Sequence, residues 1–330
     1  MKVQALGFLA AVALATGIAA AVVAAQQTAD TVDAHVAAAR TAGEKIHPGL
    51  FSSLCSPTSI RPADAPQRGQ RAGGAPPGPP DRSQWHAEPV KVFDNLFYVG
   101  MTEYSAWAVK TSQGIILLDT IFDYSVEDEV VGGLKKLGLD PASVKYALVS
   151  HGHLDHFGGA KYLQEHFGTK VLMSAADWEF LSESRSPAKP ARDLVVSDGQ
   201  KLTLGDTTLT FYLTPGHTMG TVSTLIPVKD NGQPHLAAEW GGTGFNFPRS
   251  ADRFSTYYTS AERFRDIATK AGADALVSNH TNLDGSKTKM PVLALRKPGD
   301  PHPYVIGTEG VRAYLTVAAE CARAARAAYN

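Results

Sequence analysis

From Trp85 onward, short apolar runs alternate with stretches whose apolar residues recur at helical spacing. "VKVFDNLFYVG" and "AWAVKTSQGIILLDT" read as strands joined by turns, the second turn at Ser112-Gln113-Gly114. "SVEDEVVGGLKKLG" predicts a helix closed by Gly138, and "KYALVS" a buried strand. "GAKYLQEHFG" follows as a helix and "TKVLMS" as a strand, which is a βαβ order. Further on, "KLTLGDTTLTFYLTPGH" predicts a hairpin about Gly205-Asp206, and "TVSTLIPV" and "HLAAEW" add strands. "YYTSAERFRDIATKAG" predicts an amphipathic helix with Phe264 and Ile267 inward and Gly272 at its end. "DALVSNH" is a strand, and "GVRAYLTVAAECARAARAAY" closes the chain as a helix. Two mixed halves of this kind predict an α/β protein with two sheets face to face and helices outside.

The residues before this domain follow other patterns. Lys2 precedes an apolar, Ala-rich stretch that ends at Val23-Ala24-Ala25, the pattern of a secretory signal peptide over residues 1–25. The stretch is also long enough to span a bilayer, so an uncleaved anchor is the alternative. Residues 26–83 hold a short Ala-rich helix, Thr31 to Lys45, and a Pro/Gly-rich arm, Ser56 to Arg82, that cannot bury enough apolar surface to offset its ordering entropy. Residues 84–330 form the compact domain. Export implies a periplasmic or secreted protein, with no stable membrane partner once the signal is cleaved. An oxidising compartment permits Cys55 and Cys321 to pair; two separate thiols are the alternative.

Composition narrows the function classes further. With 44% hydrophobic and 19% charged residues the chain reads as an ordinary globular protein. A formal net charge of -1 gives no electrostatic reason to expect a nucleic-acid partner. Nor does it suggest an anionic membrane; a small-molecule substrate as partner comes from the site chemistry, not from composition.

The candidate chemistry lies at strand ends. His151-Gly152-His153-Leu154-Asp155-His156 begins where "KYALVS" ends, and the edge beyond the carboxyl ends of strands is where open α/β sheets bind ligands. Leaving that much polarity on one loop without a cation would strand many polar groups. Imidazole with carboxylate suits zinc, iron or manganese rather than calcium or magnesium. His217 closes "TFYLTPGH" and His280 closes "ADALVSNH", so three separate strand ends deliver imidazole. Five His and one Asp exceed the needs of one metal, and two metals fit better. His35, His47, His86, His166, His235 and His302 lack this setting.

HxHxDH followed by "TPGHT" and a later strand-end His resembles the metallo-β-lactamase superfamily over about residues 85–280. The resemblance implies the four-layer αββα sandwich of the metallo-β-lactamase fold. "FYVGMTEYSAWAVKTSQGIILLDT" is similar to that superfamily's opening hairpin, so Asp119 would be the buried aspartate supporting the metal loops, with a turn residue as the alternative. Glyoxalase II-like and many lactonase-like members carry a bridging Asp after the next strand, whereas the matching stretch here is "HLAAEWGGTGF". No Cys stands in these loops either. The chain is instead similar to class B, subclass three. By that resemblance His151, His153 and His217 would hold one zinc, and Asp155, His156 and His280 the other, giving two Zn2+ ions. Glu239 could substitute for a bridging carboxylate.

The implied activity is that of an exported dizinc hydrolase that opens the amide ring of β-lactams. Two such ions lower the pKa of a shared water toward about 7, and Asp155 would both ligate and orient that water as the catalytic residue. Thr243 is the hydroxyl nearest the expected carboxylate-binding loop. Gly241, Gly242 and Gly244 either let a ligand approach the backbone or make a turn, and Tyr104, Trp107, Trp240 and Phe245 either wall a pocket or belong to the core. A lactonase or other ester or amide hydrolase is the nearest alternative; a di-iron redox protein and a metal-stabilised binding module are more distant ones.

Overall fold

Buried strands with apolar residues on both faces assemble into two sheets in the computed structural model, which describes residues 30–61 and 78–329. The first sheet has the order β1 (Val90–Lys91), β2 (Leu96–Tyr98), β3 (Trp107–Thr111), β4 (Gly114–Leu118), β5 (Val144–Leu148), β6 (Lys170–Ser174) and β7 (Leu194–Val196). The second has the order β12 (Ala275–Ser278), β11 (Gln233–Trp240), β10 (Val222–Asp230), β9 (Thr207–Leu213) and β8 (Lys201–Leu204). One apolar cluster, including Trp107, Leu118, Leu148, Phe211, Ile226 and Val277, fills the space between the sheets. A second, with Leu117, Val130, Leu134 and Leu163, lies under the helices covering the first sheet. A third joins Trp240 and Leu276 to the helices Ala251–Ala271 and Gly307–Ala327. Helix, sheet, sheet and helix thus form the four layers of the αββα sandwich.

Chain direction explains where the site forms. β4, β5 and β6 run parallel. In the other sheet β11 and β12 are parallel, while β9 and β11 both oppose β10. The carboxyl ends of β4 to β7 in the first sheet and of β9, β11 and β12 in the second therefore open onto one edge of the sandwich. The loops after β4, β5, β9 and β12 carry Asp119, His151–His156, His217 and His280. A backbone bond from Val222 N to Ser150 O (2.8 Å) ties the two sheets together at that edge.

Most elements lie where periodicity places them. The expected helix over 125–138 opens as a π turn, Glu127–Val131, before continuing as Gly132–Lys136. Within that turn Glu129 is buried, and its carboxylate accepts from Ala87 N (3.0 Å) and meets His86 Nδ1 (2.6 Å). Elements not anticipated include the helices Pro48–Leu54, Leu154–Phe157, Ala175–Ser182 and Ser286–Ala294, and the edge strand β7.

The helices Val32–Gly43 and Pro48–Leu54 pack against the Gly307–Ala327 helix, with Ala39, Leu50, Phe51 and Leu54 buried in its cluster. Cys55 at the end of the second is disulfide-bonded to Cys321, closing a sequence separation of 266 residues. A loop of that length makes the bond worth about 2–5 kcal/mol against the unfolded chain. The expected signal segment, residues 1–25, and residues 62–77 of the Pro/Gly-rich arm lie outside the described residues. Among the described residues no helix is long and apolar enough to cross a membrane.

Candidate metal centre

The loop after β5 is held from below by Asp119. One carboxylate oxygen of Asp119 accepts from Ser150 N (2.7 Å); the other accepts from Ser150 Oγ (2.8 Å) and from His156 Nδ1 (2.7 Å). Asp119 is itself in the left-handed region, with φ 61°, as is Ile121 at 53°. That backbone costs on the order of 1 kcal/mol or more at a non-glycine position. The turn is kept because it directs a carboxylate straight at the loop. With its Nδ1 proton committed to Asp119, His156 points Nε2 inward toward Asp155 Oδ2, 3.1 Å away but out of hydrogen-bond alignment.

Two groups of potential ligand atoms result. His151, His153 and His217 form one, and Asp155, His156 and His280 the other, with all donor atoms of each group within 4.8 Å of one another. The His151 and His156 rings are 4.0 Å apart, centroid to centroid, so the groups are adjacent. His151, His156 and His217 are buried, whereas Asp155 and His280 are 23% and 25% exposed. His153 of the first group is likewise only partly buried, so both groups reach solvent.

Tautomers test whether these residues fit a cation. His151 Nδ1 lies 2.8 Å from Gly241 O, and His217 Nδ1 lies 2.6 Å from Gly244 O. A carbonyl only accepts, so both Nδ1 atoms carry the proton. Burial first, and then neighbouring imidazoles, keep both rings neutral: His217 is lowered to about 3 and His151 falls well below its usual value. Each Nε2 then presents a bare lone pair. Yet His217 Nε2 is 3.0 Å from His151 Nε2 and 3.0 Å from His153 Nδ1. Facing lone pairs repel, whereas two nitrogens ligating one zinc at about 2.0–2.1 Å would stand only about 3.3 Å apart. The residues fit a divalent cation.

The second group fits differently. Asp155 Oδ2 lies 3.1 Å from His156 Nε2 and 3.7 Å from His280 Nε2. Burial opposes ionisation of Asp155, but His156 and then His280 outweigh it and hold the carboxyl well below its usual range. Burial likewise opposes a charge on His156, but Asp155 and Asp119 overcome it and raise the imidazole to about 10. Positive charge is thus favoured at this position, where a bound cation would take the proton's place. Burial lowers His280 to about 4, which suits a neutral ligand.

The glycines of "WGGTGF" serve the histidines. A Cβ on Gly241 would lie 1.8 Å from the Val222 carbonyl oxygen, and one on Gly242 would lie 2.6 Å from the His217 side chain. Only glycine lets this loop approach closely enough for its carbonyls to orient His151 and His217. Thr243, the expected substrate hydroxyl, is fully buried, and its carbonyl accepts from Tyr257 Oη (2.8 Å). Held between glycines that pack inward, it does not offer its hydroxyl to a substrate. Trp107, Trp240 and Phe245 are likewise core residues, whereas Tyr104 packs on His280 with ring centroids 5.3 Å apart.

Glu239 belongs to neither ligand group. It faces Thr224 across β10 and β11, fully buried between the sheets. Burial first, and then Asp119, push its carboxyl well above the usual value, so it stands there as a neutral acid.

Sequence reasoning missed one residue altogether. Asp177 is 1% exposed and accepts from Gly152 N (2.9 Å), Thr218 Oγ1 (2.7 Å) and Gly220 N (3.0 Å). It staples the loop carrying His151 and His153 to the loop carrying His217. Burial pushes its carboxyl up, against the pull of these donors. "SAAD" from Ser174 to Asp177 has the spacing of a capping box, and Ser174 Oγ does accept from Asp177 N. That signal marks a helix start but says nothing of Gly152 or Gly220.

Paired ligand groups at the strand-end edge of an αββα sandwich define the class. Residues 99–230 match the family model of the metallo-beta-lactamase superfamily, so that stretch is a metallo-beta-lactamase domain, and its fold and hydrolase relatives mark the protein as an enzyme. It is similar in structure to BJP-1, a subclass B3 metallo-beta-lactamase of Bradyrhizobium japonicum, at 29% identity and a TM-score of 0.60 over 69% of this chain and 89% of that one. A variant of FEZ-1, the metallo-beta-lactamase from Legionella gormanii, matches at 25% identity and a TM-score of 0.62 over 71% and 92%. In sequence, an N-acyl homoserine lactonase from a Bacillus species is 30% identical over 152 residues, which are 44% of this chain and 59% of the lactonase. A hydroxyacylglutathione hydrolase of Mesorhizobium japonicum is 30% identical over 109 residues, 33% of this chain and 38% of that enzyme.

Proposed function

We propose that the protein is an exported dizinc hydrolase that opens the ring amide of β-lactams. His151, His153 and His217 would hold one zinc, and Asp155, His156 and His280 the other. The observation that carries this reading is the pair of bare imidazole nitrogens, from His151 and His217, facing each other at 3.0 Å beside a carboxylate-bearing second group. Similarity to B3 enzymes along most of their length, and the lack of an Asp in the "HLAAEW" stretch, favour a lactam.

Bound zinc ions would supply Lewis acidity and a water acidic enough to act as a nucleophile at neutral pH. The chain's own residues do the rest. Asp155, ionised and partly exposed at the mouth, would orient that water and receive its proton. Asp119 fixes the tautomer of His156; the carbonyls of Gly241 and Gly244 do the same for His151 and His217. A signal peptide at residues 1–25 would deliver the enzyme to the periplasm.

A second reading, a lactonase acting on a ring ester, is favoured by the N-acyl homoserine lactonases among its sequence relatives. Purified protein, loaded with zinc and assayed on a penicillin, a carbapenem and an acyl-homoserine lactone, separates the two. Lactam hydrolysis abolished by a chelator is the expected result. Turnover of the lactone with none of either lactam replaces the first reading with the second.

A further inference from the structure

Two of the segments that carry ligand atoms are tied down by buried aspartates. Asp119 holds Ser150 N beneath the 151–156 loop, and Asp177 holds Gly152 N, Thr218 Oγ1 and Gly220 N. The third segment, which carries His280, has a counterpart in Asp284. This residue is 3% exposed and accepts through Oδ2 from Ser278 N (2.9 Å) and through Oδ1 from Ser286 N (2.9 Å). One carboxylate therefore joins the last residue of β12 to the first residue of the Ser286–Ala294 helix, with His280 in the loop between them.

The two sides of this loop are held unequally. On the strand side the Ser278 carbonyl accepts from Trp107 Nε1 (2.9 Å), and its hydroxyl accepts from His280 N (3.3 Å). Thr281 donates from Oγ1 to Thr102 O (2.6 Å) and from N to Glu103 O (3.1 Å). On the helix side packing does little. Ser286 is the one buried residue of that helix, while Val292 within it and Leu295 just past it are 56% and 81% exposed. Gly285, at the position before the helix, has no side chain to cap it, so Asp284 supplies the acceptor for Ser286 N.

The charge on this carboxylate is opposed from the helix itself. Burial pushes the Asp284 carboxyl up to about 6, against the pull of Lys289 and of the Ser286 and Ser278 donors. The Lys289 ammonium lies 4.9 Å from the centre of the Tyr304 ring, and Tyr304 Oη donates to Ser286 Oγ (3.0 Å). At neutral pH Asp284 is thus an acceptor for both backbone donors.

We propose that Asp284 is a positioning residue for His280, closing the 278–286 loop so that the imidazole is already set for the second metal. This rests on the dizinc reading and adds to it the residue that preorganises the third ligand segment. Without the carboxylate, Ser278 N and Ser286 N lose their acceptor, the loop opens from its loosely packed helix side, and metal binding must itself order His280.

Hydrogen exchange of the metal-free protein, and zinc binding in competition with a chelator, test this on Asp284→Ala and Asp284→Asn. Leu134→Ala, in the core beneath the first sheet, is the control for lost stability. In Asp284→Ala the 278–286 segment is expected to exchange about tenfold faster or more, with the 150–157 segment unchanged. One zinc equivalent should weaken about tenfold to a hundredfold and the other should keep its affinity. Asp284→Asn, which retains one acceptor, should fall between wild type and Asp284→Ala, and it carries the same comparison if the alanine variant does not fold. Leu134→Ala should leave the ratio of the two zinc affinities as in the wild type. Equal weakening of both equivalents, unchanged exchange, or the same selective loss in Leu134→Ala overturns the assignment. If the wild type binds fewer than two zinc ions, the dizinc reading fails by itself, and exchange decides Asp284 separately. Faster exchange confined to 278–286 supports the role; exchange unchanged, or raised throughout the protein, overturns it.

Discussion

The two ligand groups lie one ring apart, yet they are built on opposite electrostatic plans. His151, His153 and His217 are three neutral imidazoles, two of them oriented by backbone carbonyls. The second group contains Asp155 and is backed by Asp119, so that positive charge on His156 is favoured even though the ring is fully buried. The first is therefore a geometric trap, organised by glycine loops and by Asp177, and the second is a charge trap, organised by carboxylates. Perturbing shape should hurt the first most, and perturbing charge the second.

Removing a ligand has the largest expected effect. His217→Ala should lose one metal equivalent and lower kcat by more than about a hundredfold, read by metal analysis and by hydrolysis rate. A variant that keeps full metal content and rate would show that the first group is not a site. Asp119→Ala comes next, because it removes the acceptor of three buried donors and leaves His156 without its backing charge. Breaking such a buried pair costs about 3–5 kcal/mol of stability, and the loss of metal should fall on the second equivalent. Equal weakening of both equivalents would erase the distinction between the two groups.

Asp177→Ala should show the converse at smaller amplitude. About 1–3 kcal/mol of stability for unpaired buried donors should accompany roughly tenfold weaker binding of one metal equivalent, followed by competition with a chelator. A variant destabilised but with unchanged metal affinity would reduce Asp177 to a structural residue. Glu239→Gln should do least, since a neutral amide replaces a neutral acid, and activity should stay within about twofold of wild type. A loss of more than tenfold would return Glu239 to the role of bridging ligand.

Much of this arrangement was legible along the chain. HxHxDH and the strand-end His217 and His280 stand out because each follows a short apolar run, and local periodicity suffices to see that. Asp119 was readable only by resemblance, since an Asp at the end of β4 has the same local pattern whether it supports a metal loop or makes a turn. The helix bearing Asp177 escaped notice because "SAADWEFLS" is short and carries little amphipathic pattern. Thr243 was misjudged because exposure depends on what packs above a loop, and here Gly241 and Gly242 let the backbone close down upon the histidines.

The sequence by itself determined the elements, their alternation and the types of ligand, because side-chain period and turn chemistry act over a few residues. Only the tertiary structure decided which imidazole faces which, that Gly241 and Gly244 carbonyls set the tautomers, and that Cys55 meets Cys321. Those relations join residues up to 266 positions apart. They exist only once two sheets have packed and brought the carboxyl ends of their parallel strands to one shared edge.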